Sequence, residues 1–134
     1  AYWADIALLK ERIAPYVDAE SIRYLRFPGG STNTVSRRYG GKSLMKQLKA
    51  EVEQKGWHWV DWNVCAEDAV GGHPSAGTIY RNVVHETGQQ TNCIVLMHDS
   101  SSTHTTAEAL PDIIRWYADN GYTFLTVAEA LPVR

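Results

Sequence analysis

The strongest constraint on the fold of this chain is a regular alternation between two kinds of apolar pattern. Apolar residues at helical spacing, such as Leu44, Leu48 and Val52, alternate with short runs of β-branched and aromatic residues. The strand-like runs occupy residues 22–27, 57–64, 93–98 and 122–125. This alternation with short connections predicts an α/β fold with βαβ units and a parallel sheet, either open and doubly wound or part of a barrel.

Proline, glycine and serine residues mark the ends of the predicted elements. The helical patterns cover residues 6–13, 44–55, 76–87, 106–120 and 127–131, and Ser75 is the expected N-cap of the third helix. The nearly continuous apolar run 57–64 predicts a strand that is buried on both faces. Because no repeat, low-complexity tract or linker interrupts the pattern, we expect one domain over residues 1–134.

Composition excludes several classes of protein. The chain has 13 Lys and Arg against 15 Asp and Glu, so it lacks the basic excess on which nucleic-acid binding relies. Its densest apolar run, Cys93 to Met97, is far shorter than the roughly 20 residues that a membrane-spanning helix needs. Two cysteines, Cys65 and Cys93, are too few for a disulfide framework or a metal cage. We therefore expect no nucleic-acid partner and no membrane span.

The first residues do not look like the start of a natural chain. The sequence opens at Ala1 without a methionine, carries no basic leader, and enters a helical pattern at once. We expect it to be part of a longer protein.

Polar residues follow three of the predicted strands, where parallel α/β folds bind their ligands. Arg26 and the turn residues 28–30 follow the first strand, Asp68 follows the second, and His98 closes the third. Backbone N–H groups of a Pro-Gly-Gly turn can bind an oxyanion, and a histidine can transfer a proton near neutral pH. An arginine at a strand end is also a common salt-bridge partner. Together these residues predict a hydrolytic or transfer site.

The order of these segments resembles that of the NodB-homology polysaccharide deacetylases. Arg26-Phe27-Pro28-Gly29-Gly30 is similar to the third motif of that family, and Leu96-Met97-His98 is similar to its fifth. Residues 59–64, followed by Glu67-Asp68-Ala69, resemble the region of the fourth motif. The resemblance implies the C-terminal part of a NodB-type (β/α) barrel, with about four strands alternating with helices and the first strands missing.

The resemblance also implies catalytic roles for three residues of this chain. Arg26 would hold the carboxylate of the catalytic base, and His98 would be the general acid that protonates the departing amine. Asp68 would tune His98, with Asp61 as the runner-up.

Substrate contacts follow from the same motifs. Pro28 and Gly29 would lie against the substrate, with the Gly29 N–H stabilising the oxyanion, and Leu96 would line the pocket for the acetyl methyl group. The family has a tryptophan where this chain has Ala69, so Trp62 or Trp59 would supply the aromatic wall instead.

Two family motifs have no counterpart in this sequence. They are the aspartate-rich strand end that gives the base and one metal ligand, and the His-x-x-x-His pair that gives the other ligands. The resemblance places both before Ala1. A divalent metal, zinc in the first instance, is therefore expected in the full-length enzyme and not on this chain. The chain would supply only the general acid and the oxyanion-stabilising groups of the active site, and it would be inactive alone.

The resemblance implies metal-dependent N-deacetylation of an N-acetylated polysaccharide, peptidoglycan or chitin-like, outside the cell or in the cell envelope. Missing strands would leave an exposed sheet edge, so we also expect self-association. A non-catalytic carbohydrate-binding or interaction module of the same fold is the alternative. Two further alternatives are weaker. A phosphate-binding domain would use the loop 29–33, but that loop lacks the dinucleotide and Walker patterns. A serine hydrolase would pair Ser100 with His98, but residues two positions apart at a strand end rarely reach each other in triad geometry.

Overall fold

The computed structural model describes residues 2–131. They divide into two compact units, with the boundary between Val60 and Asp61. The first unit contains α1 (Tyr2–Ile13), β1 (Tyr24–Leu25), α2 (Arg37–Gly40), α3 (Leu44–Gln54) and β2 (His58–Trp59). Strands β1 and β2 pair in parallel, with Tyr24 opposite His58. Phe27 and Val52 are the largest side chains that are fully buried in this unit.

The second unit is built around a parallel pair of strands and two long helices. Its elements are β3 (Val64–Cys65), α4 (Ala76–Thr87), β4 (Val95–Leu96), a 3₁₀ turn (Ser101–Thr103), α5 (His104–Asp119) and α6 (Val127–Ala130). Val64 lies opposite Val95 in the β3–β4 pair. The core of the unit is formed by Val64, Ala66, Ile79, Val83, Ala109, Ile113 and Tyr117. Helices α4 and α5 therefore cover the strand pair through their apolar faces.

The predicted parallel pairing is confirmed in both units, and the predicted helices are all present within a few residues of their expected bounds. Ser75 is the N-cap of α4, as expected, and its side chain accepts a hydrogen bond from the Thr78 N–H. Both cysteines are free and half-buried. Among the described residues, no helix is both long and apolar enough to cross a membrane.

The prediction of one long strand over residues 57–64 is wrong. The segment instead supplies two short strands, β2 and β3, to two different sheets. The Val60 N–H makes the last bond to β1, on the Leu25 carbonyl, whereas Asn63 already bonds the segment that leads into β4. His58 and Trp59 are only half-buried, so burial on both faces holds for Val64 alone of these three.

The predicted last strand, residues 122–125, is also wrong, because the structure assigns these residues to neither a helix nor a strand. The ring of Tyr122 packs against Trp116 and Tyr117, with centroids 6.3 and 5.0 Å away, and its hydroxyl donates to the Gln90 carbonyl. Phe124 and Leu125 are exposed. Side-chain packing, and not strand pairing, therefore holds this segment.

Candidate active site

The end of β3 delivers a carboxylate to the end of β4. The Ala66 N–H donates to the Leu96 carbonyl at 3.1 Å and makes the last backbone bond between the two segments. Glu67 then adopts a φ of +53°, a left-handed conformation that is uncommon for a residue other than glycine. The chain thereby turns sharply, and Asp68, the next residue, is only 2% exposed.

The Asp68 carboxylate makes three hydrogen bonds. Its Oδ1 lies 2.9 Å from Nδ1 of His98. Its Oδ2 accepts from the backbone N–H of His98 at 2.7 Å and from the hydroxyl of Thr106 at 2.8 Å. One buried carboxylate therefore fixes both the backbone and the ring of His98.

The negative charge of Asp68 determines which ring nitrogen of His98 carries a hydrogen. Burial by itself would raise the pKa of this carboxyl, but the hydrogen bonds from His98 and Thr106 outweigh it and hold the pKa below its usual value. An ionised carboxylate only accepts hydrogen bonds, so Nδ1 of His98 must carry the hydrogen between them. The other ring nitrogen, Nε2, is left to exchange a proton with a ligand.

The His98 side chain is partly accessible to solvent. Its side chain is 36% exposed, and within residues 2–131 the only hydrogen-bond partner of the ring is Asp68. A histidine whose Nδ1 is held by a buried carboxylate and whose Nε2 is open has the arrangement of a general acid or base.

Thr106 is a member of this group that the sequence analysis did not identify. It lies in the first turn of α5 on the same buried face as Ala109, Ile113 and Tyr117. A threonine on an otherwise apolar helix face needs a hydrogen-bond partner, and this periodicity was the signal that could have revealed it.

The carbonyl of Ala66 is bonded by a side chain as well. Nδ2 of Asn82, on α4, donates to it at 3.1 Å. Helix α4 therefore holds the carboxyl end of β3, while α5 holds the carboxylate that follows.

In the first unit, the residues after β1 form a tight turn. The Gly30 N–H donates to the Phe27 carbonyl at 2.8 Å, and Gly29, which follows Pro28, has a φ of +71°. These are the features of a type II turn. The positive φ favours glycine here, and a Cβ on Gly29 would also make a tight contact, 3.3 Å from Cβ of Asn33.

The Gly29 N–H takes no part in the hydrogen bond that closes this turn. Gly29 is exposed, and the structure describes no acceptor for its N–H within the part of the chain that it covers. The turn is anchored by the buried ring of Phe27, whose centroid is 6.1 Å from that of Tyr2 and 6.4 Å from that of Trp59. A free N–H on a rigid turn is what an oxyanion site needs.

The remaining predicted site residues lie close to these segments in sequence. Arg26 is exposed and directly precedes the turn in the first unit. In the second unit, Trp62 is half-buried just before β3, and Leu96 is half-buried in β4 opposite Cys65. The structure thus brings Asp68 and His98 into direct contact and places the other residues within their own units.

Two kinds of site are not formed among the described residues. No three His, Cys, Asp or Glu side chains among residues 2–131 are grouped so that they could hold a metal ion, so this part of the chain does not fit a zinc site. The Ser100 hydroxyl bonds those of Ser102 and Thr103, at 2.9 and 3.1 Å, and not the His98 ring. A Ser100–His98 nucleophile is therefore absent from the described residues.

Solved structures of two enzymes resemble this chain. The catalytic domain of a peptidoglycan N-acetylglucosamine deacetylase from Eubacterium rectale superposes with a TM-score of 0.73 and 36% sequence identity, over 82% of this chain and 49% of that one. A CE4 esterase from Streptococcus mutans superposes with a TM-score of 0.60 and 31% identity, over 76% of this chain and 42% of that one. The matched part of the chain has the NodB/CE4 fold.

The chain spans less than half the length of either of these two structures. No family model matches the chain, and no curated protein matches it.

Proposed function

We propose that this chain supplies the general-acid side of a carbohydrate N-deacetylase that acts on an N-acetylated polysaccharide, peptidoglycan or chitin-like, outside the cell or in its envelope. The observation that carries the proposal is the bonding of Asp68 to His98, which leaves Nε2 of the ring open. The resemblance to a peptidoglycan deacetylase and to a CE4 esterase supports the choice of a carbohydrate substrate.

In this reaction water attacks the carbonyl carbon of the acetamide, and the C–N bond then breaks to give acetate and a free amine. Nε2–H of His98 donates a proton to the departing nitrogen, while Asp68 stabilises the positive ring before the transfer. The Gly29 N–H stabilises the oxyanion of the tetrahedral intermediate, with Pro28 beside it. Leu96 contacts the acetyl methyl group.

Arg26 and Trp62 have supporting roles in the proposal: Arg26 orients the carboxylate of the base, and Trp62 forms the aromatic wall. The described residues offer no metal site, so we assign the metal, with zinc as first choice, and the base to parts of the enzyme beyond this chain. The chain alone is then inactive.

The test is acetate release from N-acetylated glycan oligomers by the complete enzyme and by this chain. We expect His98→Ala to lower turnover of the complete enzyme by about 10²- to 10⁴-fold, which is typical for a general acid, and to leave metal affinity unchanged. A loss of metal affinity in this variant would make His98 a metal ligand. Metal-dependent turnover by the 134-residue chain would show that the base and ligands lie within it.

The alternative is a non-catalytic carbohydrate-binding module. The lack of a metal cluster among residues 2–131 favours it for the chain in isolation. Glycan binding by the complete protein, with no acetate released at any metal concentration, would support this alternative over the deacetylase.

A further inference from the structure

The small net charge of the chain conceals a strongly basic segment. Residues 21–50 contain seven Lys or Arg and no Asp or Glu, whereas all 15 acidic residues lie elsewhere. The segment begins at β1, continues through the turn that carries Gly29, and ends in α3. Positive charge is therefore concentrated in one part of the first unit.

Four of these cations are exposed and have no acidic partner among the described residues. They are Arg37 and Arg38 on α2, Lys42 between the helices, and Lys46 on α3. The salt bridges that the structure describes in residues 2–131 involve none of the four. Helices α2 and α3 contact each other, so the four residues lie on two adjoining helices and the segment between them. We call these four residues the basic surface.

The backbone beneath the basic surface is held in place by Asn33. Its Nδ2 donates to the Gly30 carbonyl at 2.7 Å and lies 3.7 Å from the sulfur of Met45, and its Oδ1 accepts from the Ser36 N–H at 3.0 Å. These contacts join the turn after β1 to the start of α2 and to α3. Because the support is fixed before a ligand arrives, binding there loses less conformational entropy.

An exposed aromatic ring lies within the same stretch. Tyr39, next to Arg38, is 83% exposed. Fully exposed tyrosine rings are suited to stacking on a wet, amphipathic ligand such as a sugar. The surface thus combines unpaired cations with a flat ring.

We propose that Arg37, Arg38, Lys42 and Lys46, together with Tyr39, bind a carboxylate-bearing polysaccharide. Arginine and lysine side chains without partners bind carboxylates through charge-assisted hydrogen bonds, and the sugar rings between the carboxylates stack on Tyr39. That the polymer is a glycan rests on the proposed function, whereas its negative charge follows from this surface alone.

A glycan fits these observations better than a nucleic acid. The four cations lie within ten residues of sequence, whereas a nucleic acid is held by many cations along its phosphate backbone. A carboxylate-bearing polysaccharide presents sugar rings beside its charges, so a small group of cations next to an exposed aromatic ring suits it.

The probe that tests the proposal is a polygalacturonate oligomer, which carries carboxylates but no acetamide group. We expect the 134-residue chain to bind it, with an affinity that falls as the salt concentration rises from 50 to about 500 mM, because salt screens exposed charges. Binding should be at least about tenfold weaker in the variant with Arg37, Arg38, Lys42 and Lys46 all changed to Gln, since each removed cation contributes to attraction of the polymer.

A matched variant controls for the loss of four positive charges. It changes Arg12, Lys55, Arg81 and Arg115 to Gln, which lie outside the basic surface, and it should bind like the unchanged chain. Circular dichroism establishes that both variants are folded. Equally weakened polygalacturonate binding in the two variants, or an affinity that does not depend on salt concentration, would overturn the proposal.

Two further probes separate the ligand classes. A neutral N-acetylglucosamine oligomer should not compete for the basic surface, and Tyr39→Ala should weaken polygalacturonate binding further. Binding of a single-stranded oligonucleotide in preference to polygalacturonate would replace the proposal with a nucleic-acid site. Because polygalacturonate cannot be deacetylated, this result is independent of whether His98 is a general acid.

Discussion

Asp68 connects three parts of the second unit through one side chain. It bonds the ring and the backbone of His98, which follows β4, and the hydroxyl of Thr106 on α5. A neutral carboxyl group could not accept all three hydrogen bonds, because one of its oxygens would carry a proton. The stability of this region and its proposed chemistry therefore depend on the same negative charge.

That charge makes stability dependent on pH in a defined direction. Since the folded pKa of Asp68 lies below that of an unfolded chain, about 3.9, its contribution is present above that value and is lost as the pH falls through the folded pKa. Denaturant unfolding at several pH values between about 7 and 2 measures this. The difference in unfolding free energy between the unchanged chain and Asp68→Asn should be largest near neutral pH and should shrink in acid.

An exposed carboxylate provides the comparison for that experiment. Asp112 pairs with Arg115 on the surface of α5, and Asp112→Asn removes the same charge without touching His98. A pH dependence that is altered as much by Asp112→Asn as by Asp68→Asn would mean that net charge, and not the buried carboxylate, is responsible.

Thr106→Val removes one hydrogen bond to an ionised group and keeps the shape of the side chain. We expect the free energy of unfolding to fall by about 1.5–3 kcal/mol, the range for hydrogen bonds to charged partners. Thr105→Val is the control, because the Thr105 hydroxyl donates to the neutral Pro74 carbonyl at 2.9 Å and should cost about 0.5–1.5 kcal/mol. Thr106→Ser should restore most of the loss, and equal costs at positions 105 and 106 would contradict the assignment.

Helix α4 starts with a side-chain N-cap, whereas helix α3 does not. The Ser75 side chain accepts from the Thr78 N–H, whereas Ser43, at the same position of α3, makes no such bond. We expect Ser75→Ala to lower the free energy of unfolding by about 1 kcal/mol and Ser43→Ala to leave it nearly unchanged. Chemical denaturation of both variants tests this, and a larger cost at Ser43 would show that side-chain capping does not distinguish the two helices.

The helices could be predicted from the sequence because the signals that form them are local. Ser75 and Gly88 bracket α4, and the apolar repeat between them gives the buried face. A strand depends on a distant partner, which the local pattern does not contain. For this reason residues 57–64 looked like one strand although they contribute to two sheets. Residues 122–125 also looked like a strand, although they form no strand pair within the described part of the chain.

The candidate site could be predicted in part for the same reason. Its positions after β3 and β4 follow from the alternation of elements, which pointed to Asp68 and His98. The family resemblance ranked Asp68 ahead of Asp61, but the left-handed conformation of Glu67, just before Asp68, has no signal in the local pattern. Thr106 was missed because it belongs to a helix and follows no strand.

Several apolar side chains near the end of the described chain are exposed to solvent. Phe124 and Leu125 are 55% and 60% exposed, and Val127 and Leu131 are exposed as well. Exposed apolar groups of this kind favour association with another surface. We expect the purified chain to self-associate as its concentration rises, as light scattering after size-exclusion chromatography would detect.

The variant Phe124→Glu should shift this association to higher concentration. Tyr16→Glu is the control, because Tyr16 is also highly exposed but lies in the other unit. A monomer at every concentration tested would contradict this prediction, and equal effects of the two variants would place the contact elsewhere.

The hydrogen bond from the His98 amide to the Asp68 carboxylate makes the site observable without a substrate. This amide is the next backbone donor after the β3–β4 bonds, yet its acceptor is a side chain, and the Ala66 carbonyl is bonded to Asn82 instead. The exchange of this single amide proton with deuterated water therefore reports whether the carboxylate is in position. We expect slow exchange in the unchanged chain and much faster exchange at His98 in Asp68→Ala, while the amide of Ala66 keeps its protection. An NMR spectrum could thus follow the assembly of the candidate site without any measurement of turnover.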